Sequence, residues 1–207
     1  MRKPATPTPR LRSEDRQREV VAAVLALAAE HGPDAITTQA IADRIGVTQG
    51  ALFRHFPNKE AIWLAVIGWT RESILAVFEQ SVSKVSTPLA RLEAAFLAHV
   101  GFIAANPGVP RVMFHELQYP GDSPVRAAVR TLIGEYSARL GSLFEQARRS
   151  GDISPDLDAK LAPLLFIGAV QALVIQGSLS GDNSGIGKRA RRVFPLLLNG
   201  YRGRKAS

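Results

Sequence analysis

Residues 48–54 bring together side chains whose chemistry suits nucleic acid. Gln49 carries an amide that can pair with adenine, and Arg54 carries a guanidinium that can pair with O6 and N7 of guanine. Gly50, between them, would let the backbone come close to a DNA groove. Helical spacing puts these three residues and Phe53 on one face, opposite an apolar pair at positions 52 and 56. The segment is therefore predicted to be a short helix that fits the major groove.

A short helix and a tight turn are predicted to position this reading helix. Thr37 or Thr38 can cap a first helix, and apolar residues then repeat at i, i+4. Gly46 can supply the left-handed residue that ends this helix, and Thr48 can cap the next one. A third helix follows at once. The pattern over residues 36–62 is that of a helix-turn-helix.

Other groups nearby suit DNA phosphates, which position a protein without reading sequence. They include the threonine hydroxyls, the Lys59 ammonium and the His55 imidazole. Each residue alone has an ordinary alternative, since Gln49 could be a solvated first-turn residue and Arg54 a surface cation. The predicted DNA-binding set is Thr37, Thr38, Thr48, Gln49, Gly50, Phe53, Arg54, His55 and Lys59.

These positions also carry a family resemblance. The signature of TetR-type regulators runs T-x-x-x-I-A-x-x-x-G-V-T/S-x-x-x-L-Y-x-H-F-x-x-K-E-x-L. Together with an upstream helix that ends in His31-Gly32-Pro33, as the family's first helix does, the resemblance covers roughly residues 13–67. Phe53 stands where the family usually has Tyr, which removes a hydroxyl that could bond a phosphate, and Ile62 replaces Leu. The matching residues are Thr38, Ala42, Gly46, Val47, Thr48, Leu52, His55, Phe56, Lys59 and Glu60.

The resemblance implies a function and an architecture. We expect an all-α protein, with a three-helix DNA-binding domain followed by a larger helical domain that dimerises and encloses a small-molecule site. We expect a repressor that binds a palindromic operator as a homodimer and is released by an apolar or amphipathic effector. An activator or a ligand-independent regulator of the same fold is the alternative. Candidate residues for the effector site are Trp69, Phe96, His99, Phe102, Met113 and Phe114.

The rest of the chain is predicted to be helical, because no segment alternates with the period of a strand. Three helices are predicted to begin where an N-cap residue is followed by proline: Thr87-Pro88, Ser123-Pro124 and Ser154-Pro155. The predicted helices are 15–31, 38–45, 49–56, 58–83, 88–105, 107–118, 124–150, 156–178 and 187–200. The predicted domains are a basic arm at 1–12, the DNA-binding domain at 13–60, the C-terminal domain at 61–201 and a basic tail at 202–207.

Two predicted helices, 124–150 and 156–178, carry broad apolar stripes. The resemblance implies that this pair packs against its two-fold mate in the dimer, whereas the plain alternative is that both stripes belong to the protomer's core. The apolar residues on helix 124–150 are Val125, Val129, Leu132, Ile133, Tyr136, Leu140, Leu143 and Phe144. Those on helix 156–178 are Leu161, Leu164, Leu165, Gly168, Ala169 and Ala172.

The net charge of +8 comes from the ends of the chain. Four basic residues precede the first acid, Glu14, and seven follow the last, Asp182, so the segment between them carries 15 basic against 18 acidic residues. The N-terminal arm is the better candidate for DNA contact, because it leads into the DNA-binding domain. The C-terminal cluster is as well explained by a solvated tail.

Other classes of protein fit less well. There is no cysteine, so disulfides and thiolate metal sites are excluded. The four histidines are scattered, and the glycines at 185–187 follow no strand, so we expect no enzyme, cofactor or metal, and keep a helical or metal-dependent enzyme only as a remote alternative. We expect a cytoplasmic protein with no membrane partner. The apolar stretch 161–175 is judged too short to span a bilayer.

Overall fold

The computed structural model describes residues 13–180 and 185–202, and it contains no strand within them. The prediction of an all-α fold is confirmed. The predicted arm at 1–12, residues 181–184 and most of the predicted tail lie outside the described residues. The helices are α1 Ser13–His31, α2 Thr38–Arg44, α3 Gln49–Phe53, α4 Lys59–Val82, α5 Pro88–Ala105, α6 Gly108–Gln118, α7 Pro124–Arg149, α8 Ala162–Ser180 and α9 Ile186–Arg202, with a 3-10 turn at Pro33–Ala35.

Five of these helices begin where a side chain satisfies a backbone N–H group that the helix leaves free. In each, a side-chain oxygen accepts a hydrogen bond of 2.8–3.3 Å from the backbone N–H three residues later. The predicted caps before α3, α5 and α7 are confirmed, and of the two threonines proposed for α2 it is Thr37 that caps. The capping residues are Thr37, Thr48, Asn58, Thr87 and Ser123.

The predicted start of α8 was wrong. Ser154-Pro155 begins only a turn, in which the Leu157 N–H donates to the Ser154 carbonyl at 3.2 Å, and α8 starts at Ala162. The Ser154 N–H donates to the Tyr201 carbonyl at 2.9 Å, which ties this turn to the end of α9. Asp158 takes the capping role instead, accepting at its Oδ1 from the N–H of Lys160 at 2.8 Å. The reading helix α3 is also shorter than predicted, ending at Phe53 rather than at 56.

The core of the C-terminal domain is built around fully buried phenylalanines. Phe96 of α5 meets Phe166 of α8 edge-on, with ring centroids 5.2 Å apart. Phe144 of α7 packs 4.9 Å from the Tyr201 ring, and the Tyr201 hydroxyl donates to the Ala162 carbonyl at 3.2 Å. The end of α9 is thereby tied to the start of α8.

Three helices, Lys59–Val82, Pro88–Ala105 and Ala162–Ser180, are long and apolar enough to cross a membrane by length and composition. The prediction that the stretch 161–175 is too short for this was wrong, since its helix runs for 19 residues. Packing accounts for the apolar composition of the first two helices, which contact each other and α7 around the core. The third helix leaves apolar side chains exposed, as described below.

Candidate DNA-binding and effector sites

The helix-turn-helix holds α3 at a fixed angle to α2. Gly46 ends α2 with φ of 68°, a left-handed conformation that costs glycine little. The following residue, Val47, donates its N–H to the Ala42 carbonyl at 3.0 Å, closing the turn. Beneath it, Leu52 and Phe56 are buried at 1% and 3% exposure, so the predicted apolar pair is confirmed. The opposite face of α3 is left at the surface.

That surface carries the predicted base-reading residues. Gly50, Phe53 and Arg54 are exposed, whereas Gln49 is half-buried. The Gln49 Nε2 donates to the Thr38 Oγ1 at 2.6 Å, which fixes the amide in place across the α2–α3 junction. Phe53 leaves 40% of its surface exposed, an apolar ring at the centre of a polar face.

The predicted phosphate-binding groups surround this face. The capping hydroxyls of Thr37 and Thr48 accept from backbone N–H groups, which leaves each hydroxyl hydrogen free to donate. Lys59 is exposed at the start of α4, with Nζ 5.8 Å from the centre of the Trp63 ring. His55 is half-buried just beyond α3. All nine predicted residues therefore lie on α2, α3, their connections or the first residue of α4.

A cavity of about 110 Å³ lies between α4, α5, α6, α7 and α8 of the C-terminal domain and opens to the surface, where Leu117 and Gln171 are exposed. Four of the six effector-site candidates line it: His99, Phe102, Met113 and Phe114. The other two lie elsewhere. Trp69 faces a groove against α1, and Phe96 packs in the core between Phe166 and Phe194.

Sequence reasoning expected helix 124–150, now α7, to border the effector site but named none of its residues, and it missed the contribution of α8. Tyr136 and Ile133 of α7 line it, together with Ile167, Val170 and Val174 of α8. The sequence contained a signal for the contribution of α7, because Tyr136 places a hydroxyl on an otherwise apolar stripe. A buried hydroxyl normally requires a hydrogen-bond partner.

The cavity has few polar groups, and each is uncharged. The Thr70 hydroxyl donates to the Val66 carbonyl at 2.8 Å and is satisfied by its own helix. Burial lowers the pKa of His99 to about 4, so its imidazole is neutral at pH 7, and burial raises the pKa of Tyr136. The two rings meet edge-on, with centroids 5.0 Å apart.

Helix α6 lines the cavity and also contacts helix α1 of the DNA-binding domain. Its start crosses α1 so closely that a Cβ on Gly108 would lie 2.0 Å from the Leu25 carbonyl oxygen. One turn on, the Arg111 Nη1 donates to the carbonyls of Ala28 and Ala29 at 3.0 and 2.6 Å, near the end of α1. Farther along, His115 Nδ1 lies 3.4 Å from Asp34 Oδ1. One helix thus lines the cavity and contacts α1 of the DNA-binding domain.

An apolar surface is exposed along α8. Leu164 and Leu179 are exposed at 66% and 78%, and Leu196, on the adjacent helix α9, at 70%. By contrast, seven of the eight apolar residues predicted to form a dimer stripe on α7 are buried within the protomer. That half of the predicted interface was wrong, because α7 is core. We call the exposed set the α8–α9 surface: Leu161, Leu164, Leu165, Ile175, Leu179 and Leu196.

Metal chemistry gains no support from the positions of the histidines. Within residues 13–180 and 185–202, no group of three His, Asp or Glu side chains is placed to hold a metal ion. His99 contacts Tyr136 in the cavity, and His115 contacts Tyr119 and Asp34 beside α1.

A helix-turn-helix joined to a helical domain with an internal cavity defines a class, the DNA-binding regulatory proteins of bacteria. Residues 20–66 match the model of bacterial regulatory proteins of the tetR family, and residues 85–175 match the tetracyclin repressor-like C-terminal domain. The chain belongs to the TetR family.

Relatives and solved structures agree with this assignment. A nucleoid occlusion factor SlmA from Actinobacillus pleuropneumoniae is 29% identical over 150 residues, 72% of this chain and 74% of that protein. The fatty acid degradation regulator FadR from Bacillus halodurans has the same fold, with a TM-score of 0.80 at 20% identity, covering 97% of this chain and 100% of the other. FadR from Bacillus subtilis, solved with stearoyl-CoA, has a TM-score of 0.78 at 21% identity, covering 88% and 98%.

Proposed function

We propose that this protein is a cytoplasmic repressor that binds a palindromic operator as a homodimer and releases it when a small molecule enters the cavity. The observation that carries the proposal is the double role of α6. This helix supplies Val109, Met113 and Phe114 to the cavity and holds the end of α1 through Arg111. A ligand that displaces α6 must therefore also act on the DNA-binding domain.

The physical consequence concerns the distance between two reading helices. In a symmetric dimer the two copies of α3 must lie about 34–36 Å apart to enter successive major grooves. A ligand that favours a different spacing weakens DNA binding, and by linkage DNA weakens ligand binding by the same factor, typically about 1–3 kcal/mol. The α8–α9 surface is the proposed contact between the two copies, because large exposed apolar patches mark interfaces.

The curated relatives are named nucleoid occlusion factors, which raises a second candidate function, nucleoid occlusion. The cavity and its link to α1 favour the ligand-controlled repressor. Gel shifts with an operator selected from random duplexes, with and without candidate effectors, separate the two. A protein that binds a defined operator and ignores every cavity ligand would leave only the second candidate or a ligand-independent regulator.

The assignment of α3 as the reader predicts different effects at two residues. Arg54→Ala is expected to weaken binding to the specific operator by about 1–3 kcal/mol while non-specific binding changes much less, because a guanidinium can read guanine. Lys59→Ala is expected to weaken binding to all DNA and to flatten its salt dependence, because a phosphate contact is lost. Titrations of operator and unrelated DNA at several salt concentrations measure both.

The two variants serve as matched controls, since each removes one exposed cation from the same domain. Equal losses on every sequence would make Arg54 a phosphate contact. Unchanged operator affinity in both variants would contradict the assignment of α3 as the reading helix.

A further inference from the structure

The chemistry of the cavity restricts what can bind there. No Lys, Arg, Asp or Glu lines it, although 17 residues do. A charged ligand group inside it would lose its hydration without gaining a partner of opposite charge, at a cost of several kcal/mol. The interior therefore favours a molecule that is neutral where it is enclosed.

Two polar groups in the cavity wall have no protein partner. The His99 Nδ1 is shielded from solvent and accepts or donates no hydrogen bond. Tyr136 is 3% exposed, and among the described residues no group bonds to its hydroxyl, which unlike the His99 Nδ1 is not fully shielded from solvent. Buried polar groups in proteins are almost always paired, so the unpaired His99 Nδ1, whose ring meets the Tyr136 ring edge-on, calls for a partner from outside the chain.

The volume sets a scale for that partner. A cavity of about 110 Å³ is somewhat smaller than the cavity of about 150 Å³ that takes up benzene in another protein. Met113, whose unbranched side chain adapts to irregular gaps, gives the wall some room to adjust. A single ring or a short chain suits this space, whereas a long acyl chain would require it to enlarge.

Building on the proposed function, we propose that the effector is a small, uncharged, mainly apolar molecule whose hydroxyl group hydrogen-bonds to His99 and Tyr136. A hydroxyl both donates and accepts, so it can satisfy a neutral imidazole in either tautomer as well as a phenolic hydroxyl. The rest of the molecule contacts the apolar walls from α6 and α8. Specificity then arises from one hydrogen-bonding group in an otherwise apolar site.

Three probes of similar size test this ligand class: phenol, toluene and benzoate. Their affinities are measured by calorimetry on the full chain and on Tyr136→Phe, which removes one hydroxyl and keeps the ring. We expect the variant to lose about three- to tenfold in phenol affinity, the worth of one neutral hydrogen bond, and less than about twofold in toluene affinity. Benzoate is expected not to bind either protein.

A matched control is Tyr201→Phe, the same chemical change outside the cavity. The Tyr201 hydroxyl bonds to the Ala162 carbonyl, so this variant should lose thermal stability and bind phenol as the unmodified protein does. His99→Phe keeps an aromatic ring against Tyr136 and is expected to weaken phenol as well. Failure of phenol to bind, benzoate binding as tightly as phenol, or phenol affinity unchanged in both cavity variants would overturn the proposal.

Operator release is measured separately, by gel shift, so that the two proposals can fail independently. Phenol that binds as expected without releasing DNA would contradict ligand-controlled repression and leave the ligand class standing. A charged compound that occupies the cavity and releases DNA would support ligand-controlled repression and contradict the proposed ligand class.

Discussion

Replacing both Leu164 and Leu165 with glutamate is expected to convert a dimer into monomers. The two side chains are exposed at 66% and 57% in the protomer, and a two-fold contact would bury four new carboxylates against apolar surface. Because a monomer holds only one half-site, operator affinity is expected to fall by about 10²–10⁴. Sedimentation should show about twice the chain mass of 22.4 kDa before the change and that mass after it.

Ala127→Glu provides a matched control, because it places a carboxylate on an exposed position of α7, a helix that contributes no residue to the α8–α9 surface. This variant should remain dimeric and bind the operator normally. A double glutamate variant that still sedimented as a dimer would show that another surface joins the two copies. Monomers that still bound a palindrome tightly would contradict the dimeric mode of operator binding.

Gly108→Ala is expected to have the second largest effect. The new Cβ would lie 2.0 Å from the Leu25 carbonyl oxygen and 2.8 Å from its carbon, so the clash is with backbone and no side chain can rotate away. Helices α1 and α6 would have to separate, at a cost of about 1–3 kcal/mol or more. The melting temperature, measured at fixed protein concentration, should fall by roughly 2–12 °C.

Gly134→Ala tests the same substitution where space is available. An added Cβ there meets nothing within 4 Å, so alanine in the middle of α7 should stabilise by about 0.5–1 kcal/mol. Equal stability of the two alanine variants would contradict the close crossing of α1 and α6. Because that crossing joins the DNA-binding domain to the cavity wall, Gly108→Ala should also alter operator affinity, whereas Gly134→Ala should not.

Local chemistry explains which predictions from the sequence succeeded. The helix-turn-helix is specified by contacts within a few residues, such as the Thr48 cap and the left-handed Gly46, and both are present as predicted. The predicted N-caps at Thr87 and Ser123 are also present. Base contacts of α3 remain predictions, since exposure of Arg54 is compatible with reading a base but does not identify one. The domain division near residue 60, at the first turn of α4, also remains a prediction.

Long-range contacts explain what the sequence could not predict. Ser154 is followed by turns instead of a helix, and its N–H bonds to the carbonyl of Tyr201, a partner distant in sequence that no local pattern indicates. Likewise, an apolar stripe in the sequence does not indicate whether it is buried within its own protomer or left exposed for a partner. The stripe of α7 is covered by its own protomer, whereas Leu164 on α8 is covered by nothing within it. The close crossing at Gly108 is invisible in the sequence for the same reason.

The hydrogen bond between Gln49 and Thr38 has a thermodynamic consequence for operator recognition. Ordering a long side chain at an interface costs about 0.5–1.5 kcal/mol of conformational entropy. Here the 2.6 Å bond to Thr38 already orders the Gln49 amide in the free protein. Its conformational entropy is therefore lost during folding and not when DNA binds. The bond uses one amide hydrogen, which leaves the other to donate to N7 of an adenine and Oε1 to accept from its N6 amino group. Under the proposed role of Gln49, Thr38 therefore contributes to affinity for one base pair through preorganisation, without touching it.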